Sequence, residues 1–169
     1  MRRTLVLFGT SLLLWTLVTQ LNDAISPWRV HVFAGALFVI FAALTQPRET
    51  GLASAILAGL VCDANAPVAF GTHLLLFAAA QLIVAHVRHR IPRDDAIAAV
   101  VVVLLTNLAL FLVFCFTQIH DSPAPAALWP RLIVDLLCSQ VALAAATPWF
   151  FSLQARALTL ARVPRYDAA

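Results

Sequence analysis

Apolar residues fall in six runs separated by short polar breaks. The first run, Thr4 to Leu21, follows Arg2 and Arg3 and closes in Asn22-Asp23. A secretory signal has an apolar stretch of roughly 7–15 residues and a small-x-small ending. This run is longer and carries Trp15 near its end, which predicts a retained first helix. A turn with Pro27 and Trp28 leads to the second run, Val30 to Leu44, which Gln46-Pro47-Arg48-Glu49 ends. The third run, Gly51 to Cys62, is short: at 1.5 Å per residue it covers about 18 Å, against about 30 Å of hydrocarbon. Asp63, Pro67, Phe70 and Gly71 mark the next break, and Thr72 to Val87 is the fourth run. The fifth, Ala96 to Gln118, is interrupted only by Thr106-Asn107, and the sixth is Arg131 to Gln154. The Pro123, Pro125 and Pro130 stretch between them reads as a loop.

These runs predict an all-α, polytopic membrane bundle of six transmembrane helices, at about 4–21, 30–44, 51–66, 71–87, 96–118 and 131–154, forming one integral membrane domain over residues 1–169. Composition agrees. Hydrophobic residues make up 62% of the 169 and charged residues 11%, whereas a soluble domain is about half apolar and about a quarter charged. A globule of this size has too little interior for that apolar surface, so a soluble enzyme, a disordered chain and a collagen-like fibre are excluded.

All eleven basic residues are Arg, since Lys is absent, and against eight acidic residues they leave a net charge of +3. The Arg residues sit in small groups between apolar runs, so no basic stripe forms and no nucleic-acid partner is expected. Arg enrichment in short loops marks the cytoplasmic side. With both termini inside, the inner segments hold Arg2, Arg3, Arg48, Arg88, Arg90, Arg93, Arg156, Arg162 and Arg165, while the outer loops hold only Arg29 and Arg131. Cys62, Cys115 and Cys138 are odd in number and lie in apolar runs, which predicts small buried side chains rather than disulfides. His86 and His89 sit among Arg residues and read as a solvated face, and His31, His73 and His120 read as isolated. With no metal-ligand spacing, Gly-rich phosphate loop or nucleophile elbow, neither cofactor nor catalysis is expected.

Polar groups within the runs are the informative ones, because an intramembrane carboxylate costs about 2.5–3.5 kcal/mol at a helix centre. Gly51, Ala55, Gly59 and Asp63 recur every four residues, a stripe that drifts about 40° per step. Small residues at that spacing admit a close helix neighbour, either within the chain or from a partner. Asp63 has three readings: a cap on the N–H groups of Asn65 or Ala66, a polar cluster between helices, or proton or ion handling. Pro67 gives no N–H to the Asp63 carbonyl, and with Gly71 it marks a helix break. Asp135 has Arg131 one turn before it, which predicts an interfacial pair, and Asn107 reads as an interhelical hydrogen-bonding group.

The block Gly51-Leu-Ala-Ser-Ala-Ile-Leu-Ala-Gly59-Leu-Val-Cys-Asp63, followed by Phe70-Gly71 and an apolar helix, resembles the MreD family of bacterial rod-shape-determining proteins. In that family a short third helix reads Gly, Gly, Asp, with a further Gly before the fourth helix; Gly51, Gly59, Asp63 and Gly71 match. Pro67 and the Ala/Pro-rich stretch from Asp121 to Pro130 depart from the pattern. The resemblance implies a non-catalytic component of the elongation machinery in the bacterial cytoplasmic (inner) membrane, surrounded by membrane lipid. It further implies binding to the single-pass protein MreC, alongside RodA, a class B penicillin-binding protein and MreB filaments. The six-helix plan also looks like the substrate-binding subunits of energy-coupling-factor vitamin transporters. Those subunits dock through an Ala-x-x-x-Ala pattern on the first helix, and Thr4 to Leu21 contains no Ala.

Overall fold

In a computed structural model, which describes residues 2–66, 69–91, 95–120 and 125–162, every regular element is helical. Six α-helices follow in order: α1 Arg2–Ile25, α2 Leu37–Thr45, α3 Arg48–Asn65, α4 Thr72–Val87, α5 Ala96–His120 and α6 Pro125–Leu160. Single 3₁₀ turns follow α1 and α4, at Ser26–Trp28 and Arg88–Arg90. Three stretches, Arg2–Trp28, Ala96–Thr117 and Leu128–Leu160, are long and apolar enough to cross a membrane. Leu5, Leu13, Ile97, Leu105, Leu137 and Val141 on these helices are exposed. An apolar exterior over a polar-patched interior is the arrangement that lipid solvent favours.

The second element differs most from expectation. The run from Val30 is helical only from Leu37, and residues 30–36 are irregular apart from a turn at 35–36. The cause is competition for backbone groups: side chains from α1, α5 and α6 take the N–H groups of His31, Val32, Phe33 and Ala36. The short α2 that follows is the centre of the core. Leu37, Phe38, Val39, Ile40, Phe41, Ala42 and Ala43 are all buried, packed by α3, α4 and α6.

The last helix also departs from the expected boundaries. It begins at Pro125, inside the stretch read as a loop, and keeps Pro130 and Pro148 within it. Proline fits a first helical turn because its missing N–H has no acceptor there anyway. The helix continues past Gln154 to Leu160, where Leu158 packs with Leu7, Phe41 and Ala42. The third helix is longer than its apolar run, because Arg48, Glu49 and Thr50 form its first turn; its 18 residues extend about 27 Å.

Helices α3 and α4 make the most extensive pairing. Gly51, early in α3, lies against Gln81, late in α4, and Gly59 lies against His73 and Leu74 at the start of α4, so the pair is antiparallel. A Cβ on Gly59 would stand 2.5 Å from the Leu74 Cα and 2.7 Å from its N, distances no side chain tolerates. Ala55, between the glycines, is fully buried. The small-residue stripe therefore meets α4 along its length.

Candidate functional site

The chain breaks between α1 and α2 and between α3 and α4 bring backbone polar groups to one end of the bundle. Backbone outside a helix survives at membrane depth only if protein or water satisfies it. Two sets of side chains do so here.

The first set is Asp63 and the start of α4. Asp63 lies two residues before the end of α3 and is almost fully buried. Its Oδ2 accepts the N–H of Gly71 at 3.0 Å and of Leu74 at 3.1 Å, and its Oδ1 accepts the N–H of His73 at 2.8 Å. The carboxylate thus caps the following helix from the preceding one, satisfying donors that a helix start leaves open, and its charge suits the positive end of the helix dipole. This corrects the expected partners: the acceptors reach Gly71, His73 and Leu74, not Asn65 or Ala66. Gly71 makes the approach possible with φ +98°, a left-handed conformation that glycine adopts freely. Pro67 lies outside the described residues, so its expected break is not described.

His73, read as isolated, joins this cap. Its Nδ1 is 2.9 Å from Asp63 Oδ1. Asp63 accepts from three backbone donors, so the proton of this contact belongs on Nδ1 and Nε2 is left for other partners. The ring stacks at a tilt on Phe114 of α5, centroids 4.5 Å apart, and meets Phe77 edge-on at 5.9 Å.

The second set holds residues 30–36. Asn22 on α1 bonds both ways with Val32, its Oδ1 accepting the N–H at 2.7 Å and its Nδ2 donating to the carbonyl at 3.0 Å. Asp135 on α6 accepts the His31 N–H at 2.8 Å. Ser139, one turn on, accepts the Phe33 N–H at 2.9 Å and donates to the Asp135 carbonyl. Asn107 on α5 accepts the Ala36 N–H at 3.4 Å and donates to the Phe33 carbonyl at 3.1 Å. Three helices thus hold one irregular segment. Asn107 does bond between elements, but to backbone rather than to another helix side chain. Asp135 approaches Arg131 only loosely, at 3.9 Å; its shorter contact is with the His31 N–H. Asn22 went unrecognised in sequence because it stands at a run's end, where a polar residue reads as turn.

The two sets border open recesses. One, of about 460 Å³, runs between His31, Phe33, His73, Phe114, Arg131 and Asp135. A second, of about 560 Å³, shares His31, Phe33 and His73 in its lining and reaches Asn22 and Trp15. At the opposite end, Arg88 donates to the Gln46 carbonyl at 2.6 Å, satisfying the break after α2. His86 and His89 are exposed there. Among the described residues no three His, Cys, Asp or Glu side chains are grouped to hold a metal ion.

Comparison with known proteins gives one match. The family model described as rod shape-determining protein MreD matches residues 1–155. No curated protein and no solved structure matches the chain, so the likeness to energy-coupling-factor subunits and the transporter alternative find no support. Coverage of 155 of 169 residues takes in all five breaks between the helices and both sets of polar clamps. The chain belongs to the MreD family and is a rod-shape-determining membrane component.

Proposed function

We propose that this chain is a non-catalytic, multi-pass component of the bacterial cytoplasmic membrane that supports cell-shape maintenance and lateral peptidoglycan synthesis by binding an MreC-like single-pass protein. RodA, a class B penicillin-binding protein and MreB filaments are the wider partners. The whole chain acts as one integral membrane unit, with both termini cytoplasmic. The observation that carries this reading is the family match over residues 1–155. The use of the interior supports it: Asp63, Asn107, Asp135 and Ser139 all engage the chain's own backbone. Their common effect is to rigidify a small bundle, which suits a scaffold.

A transmembrane partner gains little by burying apolar area, because lipid tails are equally apolar; it must find close packing or hydrogen bonds. Gly9 offers such a place, exposed on α1 with nothing within 4 Å of where a Cβ would stand. The test is co-expression with tagged MreC, solubilisation in mild detergent and co-purification, together with cell-shape rescue in a strain depleted of its own MreD. Retention of this chain on MreC and restored rods are expected. No retention, with round cells despite normal membrane abundance, overturns the reading.

A further inference from the structure

The recess between α4, α5 and α6 has a wall that the backbone clamps do not exhaust. His73 uses Nδ1 on Asp63, which leaves Nε2. His31 contributes its backbone N–H to Asp135 and keeps its ring. Arg131, with a side chain 61% exposed, is 3.9 Å from Asp135 Oδ2, a separation too long for a strong charge-assisted bond. A cation, an anion and two imidazoles thus border one space of about 460 Å³, together with Phe111, Phe114 and Leu132, a volume within the usual range for a small-molecule site. Helices α4 and α5 are not an extensively packed pair, and Phe114 reaches His73 across the gap between them.

We propose that this recess binds the headgroup of a zwitterionic phospholipid of the phosphoethanolamine type, with its first acyl carbons against Phe111, Phe114 and Leu132. The phosphate takes hydrogen bonds from Arg131 and the His31 ring, while the ammonium lies against Asp135 Oδ2 and donates to the lone pair of His73 Nε2. Both signs on the wall favour a zwitterion over a simple anion, and the apolar side favours a lipid over free phosphate. The site goes beyond scaffold function and does not depend on MreC.

The experiment uses the purified full chain in maltoside detergent, with melting followed by tryptophan fluorescence. It is titrated in turn with lysophosphatidylethanolamine, lysophosphatidylglycerol and inorganic phosphate. A saturable rise in Tm with the ethanolamine lipid is expected, with binding about tenfold tighter than for the glycerol lipid. Arg131→Gln should weaken it by about tenfold, the equivalent of one charge-assisted hydrogen bond, and Arg90→Gln at the other end of the bundle should bind as the parent does. If Arg131→Gln does not melt cooperatively, His31→Gln replaces it, with the same weakening expected. No saturable rise, equal binding of both lipids, or undiminished binding by the variant that melts cooperatively overturns the proposal. A rise with inorganic phosphate that matches the lipid's assigns the site to a free anion and overturns it too. Because no partner protein is present, failure here leaves MreC binding untouched.

Discussion

Asp63 and His73 stand ten residues apart in the chain, yet the His73 backbone N–H and ring Nδ1 both converge on the same carboxylate oxygen of Asp63, at 2.8 and 2.9 Å. The pair ties the end of α3 to the start of α4. Directly below it Gly59 brings the two backbones into contact. Charge, cap and close packing thus act at one corner, and each depends on the others. Without Gly59, α4 cannot approach; without Asp63, its first turn is left without acceptors in lipid.

Substitution of Asp63 should separate these roles. Asp63→Leu leaves the N–H groups of Gly71, His73 and Leu74 without an acceptor, at about 1–3 kcal/mol for each buried group. We expect little folded protein in the membrane. Asp63→Asn keeps one acceptor oxygen, so intermediate abundance and Tm are expected. Equal defects in the two variants would show that the charge, rather than the cap, is what the site needs.

The small-residue stripe and the acid at its end were legible in sequence because an intramembrane Asp is costly without a use and small residues recur every four positions, at Gly51, Ala55 and Gly59, ahead of it. The partner of Asp63 was not, since a helix break lies between it and His73 and spacing across a break has no fixed geometry. The irregular segment 30–36 was hidden for a related reason. Apart from His31 its residues are apolar or small and continuous with α2, and what stops the helix is supplied by Asn22, Asn107, Asp135 and Ser139 from three other elements. Tertiary hydrogen bonds overrode a local pattern. Proline misled in the opposite direction: Pro125 and Pro130 read as loop, yet one begins α6 and the other lies within its second turn.

Asn107 gives a direct test of that override. Asn107→Leu removes the acceptor for the Ala36 N–H and the donor to the Phe33 carbonyl. A loss of about 1–3 kcal/mol is expected, with faster amide exchange at Ala36 and unchanged exchange at Leu14. Unaltered protection at Ala36 would mean that this contact, the longest of the set at 3.4 Å, contributes nothing.

Orientation is open to reporter fusions. The Arg distribution predicts that the end bearing Arg88 and Arg90 faces the cytoplasm and the end bearing Arg131 faces outside. Fusion after Arg90 should give a cytoplasm-active reporter, and fusion after Ser122 a periplasm-active one. A periplasm-active fusion after Arg90 would reverse the proposed topology.

Two glycines make opposite predictions. Gly59 stands where a Cβ would enter the Leu74 backbone, and backbone cannot rotate away as a side chain can. Gly59→Ala should therefore cost about 1–3 kcal/mol, the usual range for overpacking, and Gly59→Leu should prevent accumulation of the folded chain. Gly9 has open space around it, and alanine is favoured over glycine in a helix by about 1 kcal/mol. Gly9→Ala should keep or slightly raise Tm in detergent. The comparison then extends to the partner. If MreC packs on α1, Gly9→Leu should leave melting and membrane abundance intact while MreC co-purification falls. If Gly9→Leu retains MreC fully, the close-packing surface for the partner lies on another exposed face. If Gly59→Leu also folds normally, the contact between α3 and α4 is not the tight one that its 2.5 Å approach describes.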